Sequence, residues 1–469
     1  MEITSELLFS SVGELSALIQ SQKITSLALT ESYLERLAKF GEKLGAVVTI
    51  TKELALKQAK EADEEIKAGK YRGPLHGIPY GVKDLLATKA IPTTWGAAPY
   101  KDQVFDYDAT VVKKLTEAGA VLVAKLAMVE LAGGFGYNSA DSSFTGPGKT
   151  PWNTNFWSGG SSSGSGAAVS AGLVAFAIGS ETSGSIICPS SFCGVTGLRP
   201  TYGRVSRHGA MALCWTLDKL GPICRTADDC ALVLATISGQ DPLDASSVDK
   251  PFVYKNISEG KKRFKLGIVK NCFQKAQTEV RENFTASVKI LREFADVDSE
   301  VALPDMPFGQ VIELIVGAEG ASAFRDLIES GRSKELRNPK DKWGGYAGTA
   351  VLAIDYLQAL RVREPMKKAM DEVFSKYDAL ISPSFPCVSY PIDKPFEEVY
   401  KDIDFGAPVI SADNAVGQPA ISVPNGFGEN ALPTGLQFIG RVWSENTLVE
   451  IANQYQKLTD WHKRRPPLS

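Results

Sequence analysis

Apolar residues recur at helical spacing from about residue 11 to 68, with Leu29, Tyr33, Leu34 and Leu37 on one side of a helix that Ser26 is placed to cap. From about Leu75 the pattern turns to strand and helix in alternation. An apolar stretch at 78–82 precedes a helix opened by Asp108 and carrying Val111, Val112 and Leu115, then a stop at Gly119 and a strand at 120–124. Residues 167–178 contain no charge, as expected of a helix buried on several sides. Beyond Asp244 the chain is more charged and less patterned, apart from a strand at 264–269 and a helix at 355–374. Strands return at 379–381, 420–423 and 435–439, and a helix at about 445–457 closes the chain. No internal repeat interrupts this order. Such alternation predicts an α/β protein: one large mixed β-sheet flanked by helices on both faces.

Composition narrows the picture. In 469 residues, 44% are apolar and 22% charged, enough to bury a large core. Fifty-one basic side chains against 54 acidic ones leave a net charge of −3, so no general field draws in a polyanion, and no nucleic-acid partner is expected. The acidic start of the chain lacks a secretory pattern, and no run reaches the ~18 apolar residues of a membrane span, which predicts a cytoplasmic protein with no membrane partner. Seven cysteines (Cys188, Cys193, Cys214, Cys224, Cys230, Cys272 and Cys387) are an odd number with no Cys-x-x-Cys pair, and are read as buried thiols. With only His76, His208 and His462 to add, a metal site is not expected. The same scarcity limits any nucleophile that needs a histidine base.

The Gly/Ser-rich segment at 157–166 has the composition of a linker, but it runs directly into the uncharged segment and is better read as a tight loop at a buried helix start. Gly159-Gly-Ser161-Ser-Ser-Gly-Ser-Gly166, followed by Gly179-Ser-Glu-Thr-Ser-Gly-Ser185-Ile-Ile-Cys-Pro-Ser190, resembles the signature of the amidase signature family. Upstream, Gly77-Ile-Pro-Tyr-Gly-Val-Lys83-Asp84 is similar to that family's lysine motif, and the matching continues through residues 192–206 and 220–223. The resemblance is strong over 10–245, looser at 417–424 and 432–437, and faint between.

The resemblance implies the amidase signature fold in a single domain over 1–469: a core at 10–245, a variable cap-like segment at 246–370, and a part at 371–469 that rejoins the core. It implies Lys83 as general base, Ser161 as a cis-peptide serine relaying the proton, and Ser185 as nucleophile. The oxyanion hole would draw on Thr182, Ser183, Gly184 and Ser185, and Phe135, Tyr137, Asn138 and Gly160 would contact substrate. The implied activity is hydrolysis of a small-molecule carboxamide, extending to carbamates or esters, with no cofactor, by a monomer or homodimer. Alternatives within the resemblance are the glutaminase-type component of a tRNA-dependent amidotransferase, which passes ammonia to partner chains, and a non-catalytic binding component. The chain departs from the family pattern at Ser183 and Ile187, where a glycine and an arginine are common.

The residue types make chemical sense on their own terms. A serine hydroxyl attacks an amide only if another group takes its proton. A lysine serves when burial disfavours its ammonium form, and an intervening hydroxyl both donates and accepts. Glycine at 184 leaves room for a carbonyl beside backbone N–H groups. Competing readings of single residues stand beside these. Lys83 alone reads as a strand end, and Ser185 alone as a helix cap. Gly160-Ser-Ser162-Ser-Gly164 fits a nucleophile elbow with Ser162 and a later histidine. Gly146-Pro-Gly-Lys-Thr150 looks like a phosphate loop but has Ser143 where the motif needs glycine. His76 is read as structural.

Overall fold

The computed structural model describes residues 3–254, 263–403 and 409–468. Eleven described strands form one sheet: β1 Val47–Ile50, β2 Pro79–Lys83, β3 Val121–Leu126, β4 Phe176–Glu181, β5 Thr196–Arg199, β6 Lys219–Cys224, β7 Phe264–Val269, β8 Ala295–Val301, β9 Ala379–Pro383, β10 Ala420–Phe427 and β11 Pro433–Ile439. Their order is β1-β3-β2-β4-β6-β5-β10-β11-β9-β7-β8. β2 pairs parallel with β3 and β4, and β7 with β8 and β9, while the pairings between these two groups are antiparallel. The sheet is therefore mixed.

Alternation along the strands covers both faces. In β3, Val121 and Val123 join a cluster with Leu37 and Phe40 of the helix Ser26–Phe40 and with Ala55 and Ala59 of the helix Lys52–Lys67. The intervening Leu122 joins the other cluster, with Val111 and Leu115 of the helix Thr110–Glu117. A strand buried on both faces has no polar side to give it a period, which is why β2, β3 and β4 read as continuous apolar stretches.

Several local expectations need correction. Thr25, not Ser26, caps the helix at 26–40 by accepting the Ala28 N–H; the Ser26 hydroxyl instead donates to the Gly77 carbonyl. Asp108 does not open the next helix, which starts at Thr110; its carboxylate accepts the Lys89 N–H at 2.7 Å. The uncharged run at 167–178 is two elements, the end of the helix Ser163–Ser170 and the start of β4, separated by a turn at Gly172 with φ +65°.

Residues 246–370 divide in two. β7 and β8 extend the sheet, and the helices Phe308–Ala323 and Pro339–Gly348 meet the 130–140 segment, at Gly320 beside Gly134 and at Gly344 beside Phe135. Buried Glu130 ties them down by accepting the N–H groups of Arg337 (2.8 Å) and Asn338 (2.7 Å).

Candidate active site

β2 ends at Lys83, in the middle of the parallel group, so its side chain leaves a strand that is buried throughout. Lys83 has no solvent exposure, and its Nζ lies 2.7 Å from Ser161 Oγ and 2.9 Å from Ser180 Oγ. Burial draws its pKa down to about 7, against a partial opposing pull from the Asp218 and Glu181 carboxylates. Near neutral pH a large share of this amine carries a lone pair, with two hydroxyl partners in reach.

Ser161 sits in the Gly/Ser loop ahead of the helix Ser163–Ser170, and the Gly160–Ser161 peptide is cis. Its carbonyl accepts the Val129 N–H at 3.0 Å. Gly160 answers to packing, since a Cβ there would come within 2.6 Å of the Trp157 ring and 2.8 Å of Val129. Ser162 is held by the backbone of Ser180, whose N–H it accepts and whose carbonyl it donates to, both at 3.2 Å. Ser163 Oγ donates to the Ala127 carbonyl. Neither histidine required by the elbow reading engages Ser162: His208 stacks on Tyr107, and His462 lies in the C-terminal turn Trp461–Lys463.

Ser185 lies between β4 and the helix Ile187–Cys193. It does not cap that helix. The Glu181 carboxylate does so instead, accepting the N–H groups of Ile186 (2.8 Å) and Ile187 (3.1 Å). Among the described residues the N–H groups of Ser183, Gly184 and Ser185 have no protein acceptor, and Gly184 adopts φ +89°. The Ser185 carbonyl accepts the Ser162 N–H at 3.3 Å, which joins the 182–185 loop to the Gly/Ser loop through the backbone.

Behind the 182–185 loop lies a buried polar network that the sequence reading missed. Arg199 Nη1 is 2.7 Å from Glu181, its Nη2 is 2.8 Å from Asp413, and it also donates to the Gln418 carbonyl. Lys219 donates to the Thr182 carbonyl and to Asn414 Oδ1, and Thr182 Oγ1 donates to Asp218 at 2.6 Å. Burial alone raises the pKa of Glu181, but Arg199, Lys219 and the Ile186 N–H together bring it down to about 2. The one available signal was the charge at the ends of apolar strands: Glu181, Arg199 and Lys219.

A cavity of about 550 Å³ opens on Ser185, Ser183 and Thr182. Phe135 and Tyr137 line it from one side, and Ile312, Val316 and Val351 from the other. Asn138 is not on its wall; it braces the segment, its carbonyl accepting the Phe396 N–H and its side chain meeting Asn338. The loop at 146–150 is pinned by the Lys149 N–H to the Leu44 carbonyl and by Thr150 to the Phe192 carbonyl, a structural role. His76 is likewise structural, its Nδ1 accepting the Arg72 N–H. All seven cysteines are free and buried. No helix among the described residues is long and apolar enough to cross a membrane.

The family model described as Amidase matches residues 28–449. The chain is 36% identical to the A component of the glutamyl-tRNA(Gln) amidotransferase of Moorella thermoacetica, over 99% of each chain. It is 36% identical to the counterpart from Acinetobacter baumannii, over 98% of each. Among solved structures it resembles the native peptide amidase of Stenotrophomonas maltophilia with a TM-score of 0.85 and 29% identity, over 98% of each chain. It also resembles the A component of the Thermotoga maritima glutamyl-tRNA(Gln) amidotransferase, with a TM-score of 0.81 and 30% identity over 97% of this chain and 96% of that one. These relatives carry a tRNA in their name, which does not match the expectation of a protein with no nucleic-acid partner.

Proposed function

The chain belongs to the amidase family and is a hydrolase of amide carbon–nitrogen bonds, and from that premise we propose that Ser185, Ser161 and Lys83 carry the reaction. Ser185 Oγ attacks the substrate carbonyl while its proton passes through the Ser161 hydroxyl to the free amine of Lys83. The developing oxyanion is held by the unpaired N–H groups of the 182–185 loop. The proton returns by the same route to the leaving nitrogen, so the amine departs neutral and Ser185 keeps the acyl group. Water then attacks the ester by the reverse relay. No step calls for a cofactor.

The observation that carries this reading is the 2.7 Å contact between a fully buried Lys83 amine and Ser161. A charged lysine would have no reason to be placed there without a carboxylate partner at bonding distance, whereas a neutral one makes a base. Among the described residues the Ser185 hydroxyl has no hydrogen-bond partner, so its link to Ser161 belongs to the proposal. Trapping the acyl-enzyme by mass spectrometry tests it. An acyl adduct on Ser185, absent in Ser185→Ala, is expected; an adduct on Ser162, or full activity in Ser185→Ala, contradicts it.

The second reading, the glutaminase-type component of a tRNA-dependent amidotransferase, is favoured by the full-length relatives that carry that name. Purified alone, the chain should turn over simple aryl amides without glutamine or partner chains. Glutamine-dependent activity that appears only in a co-purified complex would favour the amidotransferase reading. We place the protein in the cytoplasm, acting on a small-molecule amide.

A further inference from the structure

The cavity beside Ser185 has a one-sided electrostatic character. Away from the hydroxyls of Tyr137 and the 182–185 loop, its wall is built from apolar side chains such as Phe135, Ile312 and Val316 and from glycine and alanine backbone. Among the described lining residues only Glu313 carries charge, and that charge is negative.

Basic side chains around the site are committed elsewhere. Arg199 is shared between Glu181, Asp413 and the Gln418 carbonyl. Lys219 holds the Thr182 carbonyl and Asn414. Arg207, on the wall of a smaller neighbouring cavity, is taken up by Asp244, Ser246 and the Trp215 carbonyl. Lys83 serves as the base in the reading above. Among the described residues that line the cavity, no guanidinium or ammonium is left to meet an anion.

We propose that this cavity takes amides of uncharged, apolar acids, and that it rejects an acyl group ending in a lone carboxylate. This rests on the reading of Ser185 as nucleophile. A carboxylate entering the cavity would give up its water for an apolar wall and face Glu313 with no counter-charge, whereas a methyl or phenyl group in the same place gains by leaving water. The volume, about 550 Å³, accommodates an aryl or medium-chain acyl group.

The test uses two amides of equal chain length, hexanamide and the monoamide of adipic acid, which differ by a terminal methyl against a carboxylate. Each competes with a fluorophosphonate probe for labelling of Ser185 in the full chain. Hexanamide should protect at a concentration at least about tenfold lower than the monoamide. Val316→Arg, which puts a guanidinium on the wall, should narrow or reverse that ratio while still being labelled. Equal or better protection by the monoamide in the unaltered protein overturns the proposal but leaves the nucleophile assignment intact. Failure of the probe to label Ser185 at all overturns both.

Discussion

Replacing Glu181 by glutamine keeps the shape of the side chain and removes its charge. Arg199 at 2.7 Å and Asn414 Nδ2 at 3.1 Å share one carboxylate oxygen, and the N–H groups of Ile186 and Ile187 at 2.8 and 3.1 Å share the other. A glutamine has one oxygen for both directions, so its NH₂ must oppose either the guanidinium or the helix N–H groups. The size of the effect follows from the carboxyl's displacement from 4.5 to about 2, which corresponds to about 3 kcal/mol of native-state preference for the anion. That agrees with the ~3–5 kcal/mol lost on breaking a buried ion pair from one side. Because the folded-state pKa is depressed, this contribution is fully present above pH about 4.5 and is lost as the pH falls towards 2. Urea unfolding followed by tryptophan fluorescence should therefore place Glu181→Gln about 3 kcal/mol below the parent protein at pH 7, the gap narrowing as the pH is lowered below 4.5. A gap under about 0.5 kcal/mol at pH 7, or one that ignores pH, would refute the claim that this carboxylate anchors the 182–185 loop.

Other substitutions probe the site more directly. With an uncharged substrate, kcat/KM should rise with pH through about 7, as Lys83 loses its proton, and then level off. Ser161→Ala should lower acylation of Ser185 by roughly a hundredfold or more, whereas Ser180→Ala, which removes only the second hydroxyl on Lys83, should cost less than about tenfold. Rapid-quench acylation rates separate the two, and equal effects would mean that Ser161 is not the relay. Gly184→Ala meets nothing closer than Ile410 at 3.7 Å, yet places an L side chain at φ +89°. A cost of about 1–2 kcal/mol and a fall in kcat with KM little changed are expected, and an unaltered kcat would argue against an oxyanion role for this loop.

Much of this architecture was legible in the sequence wherever one residue type or one period settled the matter. The strand at 264–269 and the helix running to Phe374 stand where their spacing put them, and Lys83 and the two serine blocks were marked by their motifs. The segment at 167–178 could not be divided in advance, because a buried helix of small residues and a strand buried on both faces are equally free of charge. Ser185 was open to reading as a helix cap because the true cap, Glu181, reaches forward from the preceding strand. The Arg199 network was out of reach for a different reason: its two carboxylates lie 18 and 214 positions away along the chain. The same holds for the cavity wall, whose two sides come from 132–137 and 312–351 and are tied together by the Glu130 contacts with residues 337 and 338.

The proposed chemistry depends on a lysine that is neutral at working pH. Titrating the protein with ¹³Cε-labelled lysine by NMR reads that state directly. Burial brings both Lys83 and Lys219 down to about 7, so the signals of both should move near neutrality. The one that disappears in Lys83→Met, and not the one lost in Lys219→Met, reports on the base. A midpoint near 7 for that signal is the result expected; a Lys83 signal still fully protonated at pH 9 would contradict the mechanism at its root.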